Sequence, residues 1–124
     1  MKNALHWFEI PVSDMARAKA FYEEIFNISF VEFSPNENLQ MALFPAEQGT
    51  VGGALCFNKK FYKPGHQGPL VYLNADPDLE KVLERLKKKK GKILQPKTQV
   101  SEEIGFMALI EDSEGNRVGL MSRQ

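Results

Sequence analysis

The sequence has 124 residues, which is the length of one ordinary domain. Its 16 Lys and Arg residues balance 16 Asp and Glu residues, so the formal net charge of zero argues against binding nucleic acid or an anionic membrane through bulk charge. Hydrophobic residues make up 43% and charged residues 26%, as in globular proteins, so disorder is not expected. The longest apolar runs, Leu70–Leu73 and Phe106–Ile110, are far shorter than the roughly 20 residues that cross a bilayer.

Cysteine and histidine are scarce in this sequence. The single cysteine, Cys56, excludes an intrachain disulfide and a zinc site of several cysteines. Two histidines, His6 and His66, limit the metal chemistry that the chain can support. The N-terminal residues contain an early acid, Glu9, and no long apolar stretch, unlike a signal peptide. We therefore expect a cytoplasmic protein.

The first half of the sequence predicts a strand, a helix and three further strands. Leu5–Val12 alternates apolar side chains as a strand does, and Ser13-Asp14 supplies a helix N-cap. Apolar residues then recur with helical spacing until Asn27, a residue tolerated in the left-handed conformation that ends helices. The helical stripe is Ala18, Phe21, Tyr22 and Ile25, and the strands that follow are Ser29–Phe33, Leu39–Phe44 and Gly53–Phe57.

The second half predicts the same series of elements. Leu70–Asn74 is typical of a strand, and Asp76 is predicted to cap a helix that begins at Pro77. A second apolar stripe leads to Gly91, the expected C-cap. This stripe is Leu79, Val82, Leu83 and Leu86, and the predicted strands are Lys92–Gln95, Phe106–Glu111 and Arg117–Met121.

The two halves form a repeat. The helix starts at Asp14 and Asp76 lie about 62 residues apart, close to half the chain. This spacing predicts two βαβββ modules, at about 1–58 and 70–124, with a linker at about 59–69 that is rich in Pro and Gly. Because each half is too small for a good core alone, we expect both to pack as a single domain, 1–124.

Two segments resemble a known family. His6–Tyr22 is similar to the opening of glyoxalase, bleomycin-resistance and extradiol-dioxygenase proteins, the vicinal oxygen chelate superfamily. Glu111–Asn116, followed by Val118–Leu120, resembles the family's final turn and strand. The sequence is most similar to the lactoylglutathione lyase-related branch, whose reactions are uncharacterised. The resemblance implies an α+β fold in which two tandem βαβββ modules form a curved mixed sheet around a cleft, usually in a homodimer, but it does not imply one reaction.

The resemblance also places the metal ligands of metal-using members on this sequence. They fall on Trp7, Leu70, Gly119 and the strand around Ala54–Cys56, with Cys56 favoured, and none of these is the His or Glu that the family uses. His6 lies one residue from the first position and is expected to face the opposite side of its strand. We therefore predict no metal and no other cofactor. The alternative is a metal-dependent lyase, isomerase or dioxygenase with an unusual ligand set such as His6, Glu9 and Glu111.

Strand alternation predicts the other side chains of the cleft. They form an aromatic and apolar surface with one acid, Glu9, which indicates a site for a small organic molecule. Glu9 is interpreted either as a structural acid paired with Arg117 across the cleft or as a catalytic base. Gly119 is expected to let a bound molecule approach the backbone. The predicted ligand-binding residues are Trp7, Glu9, Cys56, Leu70, Tyr72, Gly119 and Met121.

Two charged segments invite other interpretations. Lys87–Lys90 would complement a helix dipole, which we favour over nucleic-acid binding. Asn58–Pro64 alternates aromatic and basic residues and is interpreted as a lid or a dimer contact, in preference to an anion site.

The leading hypothesis is a cytoplasmic, dimeric glyoxalase-like protein that binds a small organic ligand without a metal. The rivals are the metal-dependent enzyme, a drug-sequestering binding protein and a structural or regulatory subunit.

Overall fold

The computed structural model describes residues 2–124 and confirms the α+β architecture of two βαβββ modules. The helix and the four short strands of the first module follow the predicted order. Its elements are β1 (Trp7–Pro11), α1 (Met15–Phe26), β2 (Val31–Asn36), β3 (Leu39–Leu43) and β4 (Gly52–Phe57). The second module consists of β5 (Tyr72–Asn74), α2 (Leu79–Lys88), β6 (Lys92–Ser101), β7 (Gly105–Glu111) and β8 (Arg117–Ser122).

Each module forms its own four-stranded mixed sheet. Sheet 1 has the order β1-β4-β3-β2 and sheet 2 the order β5-β8-β7-β6. In both, the first strand runs parallel to the last, and the other neighbours are antiparallel. Within residues 2–124 no strand of sheet 1 contacts a strand of sheet 2, whereas α1 contacts α2. The repeat is therefore structural, and the helices join its two halves.

Helix α1 begins and ends at the predicted residues. The Asp14 carboxylate accepts the backbone N–H of Arg17 at 3.1 Å, which satisfies a donor in the first turn. Asn27 ends the helix in the left-handed conformation, with φ of 55°. The predicted stripe is buried, and it consists of Ala18, Phe21, Tyr22 and Ile25.

Helix α2 differs from its prediction at both ends. Its N-cap is Asp78, whose carboxylate accepts the N–H of Glu80 at 2.9 Å, whereas the Asp76 carboxylate accepts the N–H of Arg123 at 2.8 Å. The predicted cap at Asp76 is therefore wrong, because a backbone contact from the C-terminal strand engages that carboxylate. At the other end Lys90, and not Gly91, takes the left-handed conformation, with φ of 60°.

One hydrophobic cluster spans the two modules and fills the space between the helices and the sheets. It contains the predicted helical stripes of α1 and α2 together with alternate residues of both sheets. Neither helix is long and apolar enough to span a membrane. The strand residues in this cluster are Ile10, Ala42, Leu55, Leu73, Ala108, Ile110, Val118 and Leu120.

Candidate functional site

Sheet 1 turns one side toward the core and leaves the other without a helix; we call the second side open face 1. Ile10 and Leu55 point into the core, so the residues that alternate with them lie on open face 1. Phe33 is 51% exposed there and Val31 is 64% exposed. Two rows of register partners cross this face, Glu9–Ala54–Leu43–Val31 and Pro11–Cys56–Met41–Phe33.

Glu9 is the only charged residue in these two rows, and aromatic side chains hold its carboxylate at both oxygens. Trp7 Nε1 donates to Oε2 at 3.2 Å, and the Tyr62 hydroxyl donates to Oε1 at 2.6 Å. The strand alternation predicted that Trp7 and Glu9 share a face, and the structure brings them together. Within the described residues Glu9 forms no ion pair with Arg117, contrary to the pairing expected across a cleft.

Tyr62 is a site residue that the predicted set omits. It comes from the linker, 53 residues along the chain from Glu9. The Tyr62 N–H donates to the Asn58 carbonyl at 3.2 Å, which turns the chain so that the ring reaches open face 1. Only its place in the aromatic and basic segment Asn58–Pro64, interpreted as a lid, signalled such a contact.

The groups next to Glu9 are held in their protonated forms. Burial, and next the Glu9 charge, raise the pKa of the Cys56 thiol to about 12. The hydrogen bond to Glu9 is the main cause that raises the pKa of Tyr62 well above its usual range. Cys56 is therefore a neutral thiol at pH 7, without the thiolate that a nucleophile needs. Tyr62 remains a hydrogen-bond donor at the same pH.

Three of the remaining predicted residues, Tyr72, Gly119 and Met121, lie on sheet 2, on the side away from α2, which we call open face 2. Tyr72 is the register partner of Gly119, and Asn74 is that of Met121. A Cβ atom added to Gly119 would lie 2.4 Å from Cδ1 of Tyr72, so the ring covers the glycine. The expected approach of a ligand to the Gly119 backbone therefore does not hold in this conformation.

The chain does not gather the predicted site residues into one cavity. A cleft of about 820 Å³ opens between the modules, and Tyr72 is the one predicted residue in its lining. A smaller cleft of about 280 Å³ adds Met121 beside Tyr72. Leu70 is half-buried before β5 and lines neither cleft. The larger cleft is mainly apolar, with Leu5, Phe8, Phe26, Phe44, Val51 and Val71 in its walls.

The side chains at the family's metal positions do not fit a divalent ion. Trp7 and Leu70 offer no ligand atom of the oxygen or imidazole type, and Gly119 has no side chain. The alternative set does not converge either, because Glu111 Oε2 lies 2.8 Å from His66 Nε2, while Glu9 contacts Trp7 and Tyr62. In residues 2–124 no three His, Cys, Asp or Glu side chains lie close enough to hold an ion.

The tandem βαβββ repeat defines the fold class of this protein, and the sequence match identifies the family. Residues 4–120 match the model of the Glyoxalase/Bleomycin resistance protein/Dioxygenase superfamily, and the chain belongs to that superfamily. No curated protein matches the chain significantly.

Solved structures share the fold at low sequence identity. The chain is similar to TnmS3, an antibiotic binding protein from Streptomyces sp. CB03234, at 23% identity and a TM-score of 0.70, with 98% of this chain and 97% of that one covered. A glyoxylase/bleomycin resistance protein/dioxygenase domain from Frankia sp. EAN1pec matches at 15% identity and a TM-score of 0.73, covering 98% of each chain. Glyoxalase I from Zea mays matches at 24% identity and a TM-score of 0.67, with 96% of this chain and 44% of that chain covered.

Proposed function

We propose that this protein binds a small organic molecule on open face 1 and does so without a metal. The arrangement of Glu9 carries the proposal, since Trp7 and Tyr62 fix one carboxylate on a face that is otherwise apolar. A few oriented polar groups on an apolar surface are typical of ligand sites. Binding is favoured over nucleophilic catalysis because the Cys56 thiol is neutral at pH 7. The likeness to an antibiotic binding protein supports sequestration of a drug-like molecule. We propose that this takes place in the cytoplasm.

We further propose that a second copy of the chain completes the site. Open face 1 exposes large apolar side chains, including Val31 at 64% and Phe33 at 51%, and such patches mark interfaces or ligand sites. In a homodimer, open face 2 of the partner would bring its Tyr72 and Met121 toward this face.

Analytical ultracentrifugation at micromolar concentration tests this assembly. We expect the wild type to sediment as a dimer and the Phe33→Lys variant to sediment as a monomer. A wild-type monomer at these concentrations would contradict it.

Intrinsic fluorescence tests ligand binding directly because Trp7 is the only tryptophan in the chain. We expect saturable quenching by some members of a panel of aromatic drugs, with each drug recovered unchanged by chromatography. The Glu9→Gln variant should bind more weakly. Glu32→Gln is the matched control, since Glu32 lies on the other side of sheet 1, paired with Lys19.

Two results would overturn this function. Linear, unsaturable quenching by every compound would exclude a site at Trp7. Elemental analysis of protein purified without chelators addresses the absence of a metal: one tightly bound divalent ion per chain would favour the metal-dependent enzyme.

A further inference from the structure

We propose that open face 1 recognises an organic cation, with a ligand ammonium group against Glu9 and between the rings of Trp7 and Tyr62. This inference rests on the proposed function and names the chemical class of its ligand. Three features of the face support it: the charge of Glu9, the two aromatic donors that hold it, and the apolar residues around it.

The charge of Glu9 has no counterpart in the described chain. No Lys, Arg or His side chain of residues 2–124 lies within 4.0 Å of its carboxylate oxygens. Lys60 and Lys63 flank Tyr62 in sequence, yet neither forms an ion pair with Glu9. Other acids of the chain do have such a partner, as Glu114 has Arg17 at 2.8 Å. The exposed Glu9 carboxylate is therefore available to pair with a cation from outside the chain.

The two donors to Glu9 also suit a cation. The Trp7 and Tyr62 hydrogen bonds, at 3.2 and 2.6 Å, orient the carboxylate and satisfy one acceptor direction on each oxygen. Each carboxylate oxygen can accept a second bond, so a protonated amine has free acceptors, whereas a quaternary ammonium is attracted by charge alone. The faces of indole and phenol rings attract cations electrostatically, so a ligand cation that reaches the face of either ring gains this attraction in addition to that of the carboxylate.

The two residue rows of open face 1 contain no basic side chain that would favour an anion, and Val31 and Phe33 expose hydrocarbon there. The residues beside Glu9 in its row are Ala54 and Leu43, and the next row contains the neutral Cys56 thiol and Met41. A bound anion would meet the Glu9 charge directly, which repels it. The face thus selects among drug-like molecules for those that carry a protonated amine or a quaternary ammonium beside an apolar group.

Three probes that share a benzyl group separate charge from size: benzyltrimethylammonium, benzyl alcohol and benzylsulfonate. Each probe is titrated at low ionic strength, and binding is followed by Trp7 fluorescence and by calorimetry. The dissociation constant should be about tenfold lower for the cation than for the alcohol. The sulfonate should not saturate the signal. Glu9→Gln should weaken binding of the cation about tenfold while leaving that of the alcohol within about twofold. Raising the salt concentration should weaken the binding of the cation but not that of the alcohol.

Controls make each outcome decisive. The Glu32→Gln variant should bind all three probes as the wild type does, and far-UV circular dichroism verifies that Glu9→Gln is folded. Equal affinities for the three probes, or tighter binding of the sulfonate, would overturn the cation class but leave small-molecule binding intact. If no benzyl probe and no drug of the panel quenches Trp7 saturably, both proposals fail.

Discussion

Glu114 is a single side chain that connects the last turn of the second module with the first helix. Its Oε1 accepts the backbone N–H groups of Ser13 at 2.9 Å and Asp14 at 2.8 Å, where a helix N-terminus favours negative charge. Burial alone would raise the pKa of Glu114, but hydrogen bonds from Arg17 and these backbone groups outweigh it and lower the pKa to about 2. The ionised carboxylate therefore contributes to stability.

The Glu114→Gln variant should lose stability in a pH-dependent way. At pH 7 we expect a loss of about 2 kcal/mol in the free energy of unfolding, as for hydrogen bonds to a charged group. Because the folded pKa of about 2 lies below the ordinary value of 4.5, the unfolded chain takes up the proton first, and this contribution is lost as the pH falls from 4.5 to 2. Urea unfolding at pH 7, 5 and 3 measures the difference, which should shrink toward pH 3.

The exposed Glu102, which has no such contacts, provides the control for this pH series. Glu102→Gln should differ little from the wild type at every pH. A Glu114→Gln loss that stays constant between pH 7 and pH 3 would show that the network, and not the charge of Glu114, stabilises the fold.

Gly119 supports a second prediction at the level of one residue. A Cβ atom there would lie 2.4 Å from Cδ1 of Tyr72, so Gly119→Ala should displace that ring and lower the free energy of unfolding by about 1–3 kcal/mol. In a Tyr72→Ala background the same substitution should cost much less, because the clash is absent. Thermal unfolding of the wild type, the two single variants and the double variant measures this coupling. Equal costs in both backgrounds would place the strain elsewhere.

The strand periodicity was sufficient to predict the neighbours of Glu9 on its own strand but not its partner from the linker. Trp7 and Glu9 share a face because side chains alternate in a strand, which is a local rule. Tyr62 reaches Glu9 across 53 residues through an irregular segment, and no periodicity describes such a contact. The same limit explains the unformed pair between Glu9 and Arg117: alternation gives the face of each residue but not the distance between two faces.

At the scale of elements, the residue that follows the C-terminal end of α2 does not suit the conformation of its backbone. Lys90 adopts φ of 60°, where a Cβ atom costs free energy that glycine does not lose. Lys90→Gly should therefore raise the free energy of unfolding by about 0.5–1 kcal/mol. Gly91→Ala should lower it, since a Cβ there would lie 2.2 Å from Cδ1 of Leu86. Melting temperatures of both variants measure the effect, and a Lys90→Gly protein that melts below the wild type would contradict it.

Local signals predicted α1 well but not the two ends of α2, and they did not predict how far pairing extends a strand. Caps and an apolar stripe define α1, and both ends of this helix lie where they were predicted. Strand β6 was predicted to end at Gln95, yet pairing with β7 extends it to Ser101. Pro96 lies within β6, where a proline without an N–H is tolerated because β6 is the edge of sheet 2.

At the scale of the whole molecule, polar contacts as well as the shared core connect the modules. The buried Tyr22 hydroxyl of α1 donates to Asp112 Oδ2 at 2.6 Å. Asn116 of the same turn donates to the Pro11 carbonyl at 2.7 Å, and Arg85 of α2 donates to the Ile25 carbonyl at 3.1 Å. The repeat in the sequence predicted two similar halves, whereas these contacts between different positions of the repeat could not be read from it.

The bond between Tyr22 and Asp112 tests whether the halves unfold together. Tyr22→Phe removes the hydroxyl and should lower the free energy of unfolding by about 1–3 kcal/mol, because the buried carboxylate loses a donor. Asp112 keeps its bonds from Asn116, at 2.9 Å each, so the turn should persist. Since one core spans both modules, urea transitions followed by Trp7 fluorescence, which reports on module 1, and by far-UV circular dichroism, which reports on both, should coincide and shift equally. A shift in the Trp7 transition alone would show that the modules unfold independently and that this contact stabilises only the first.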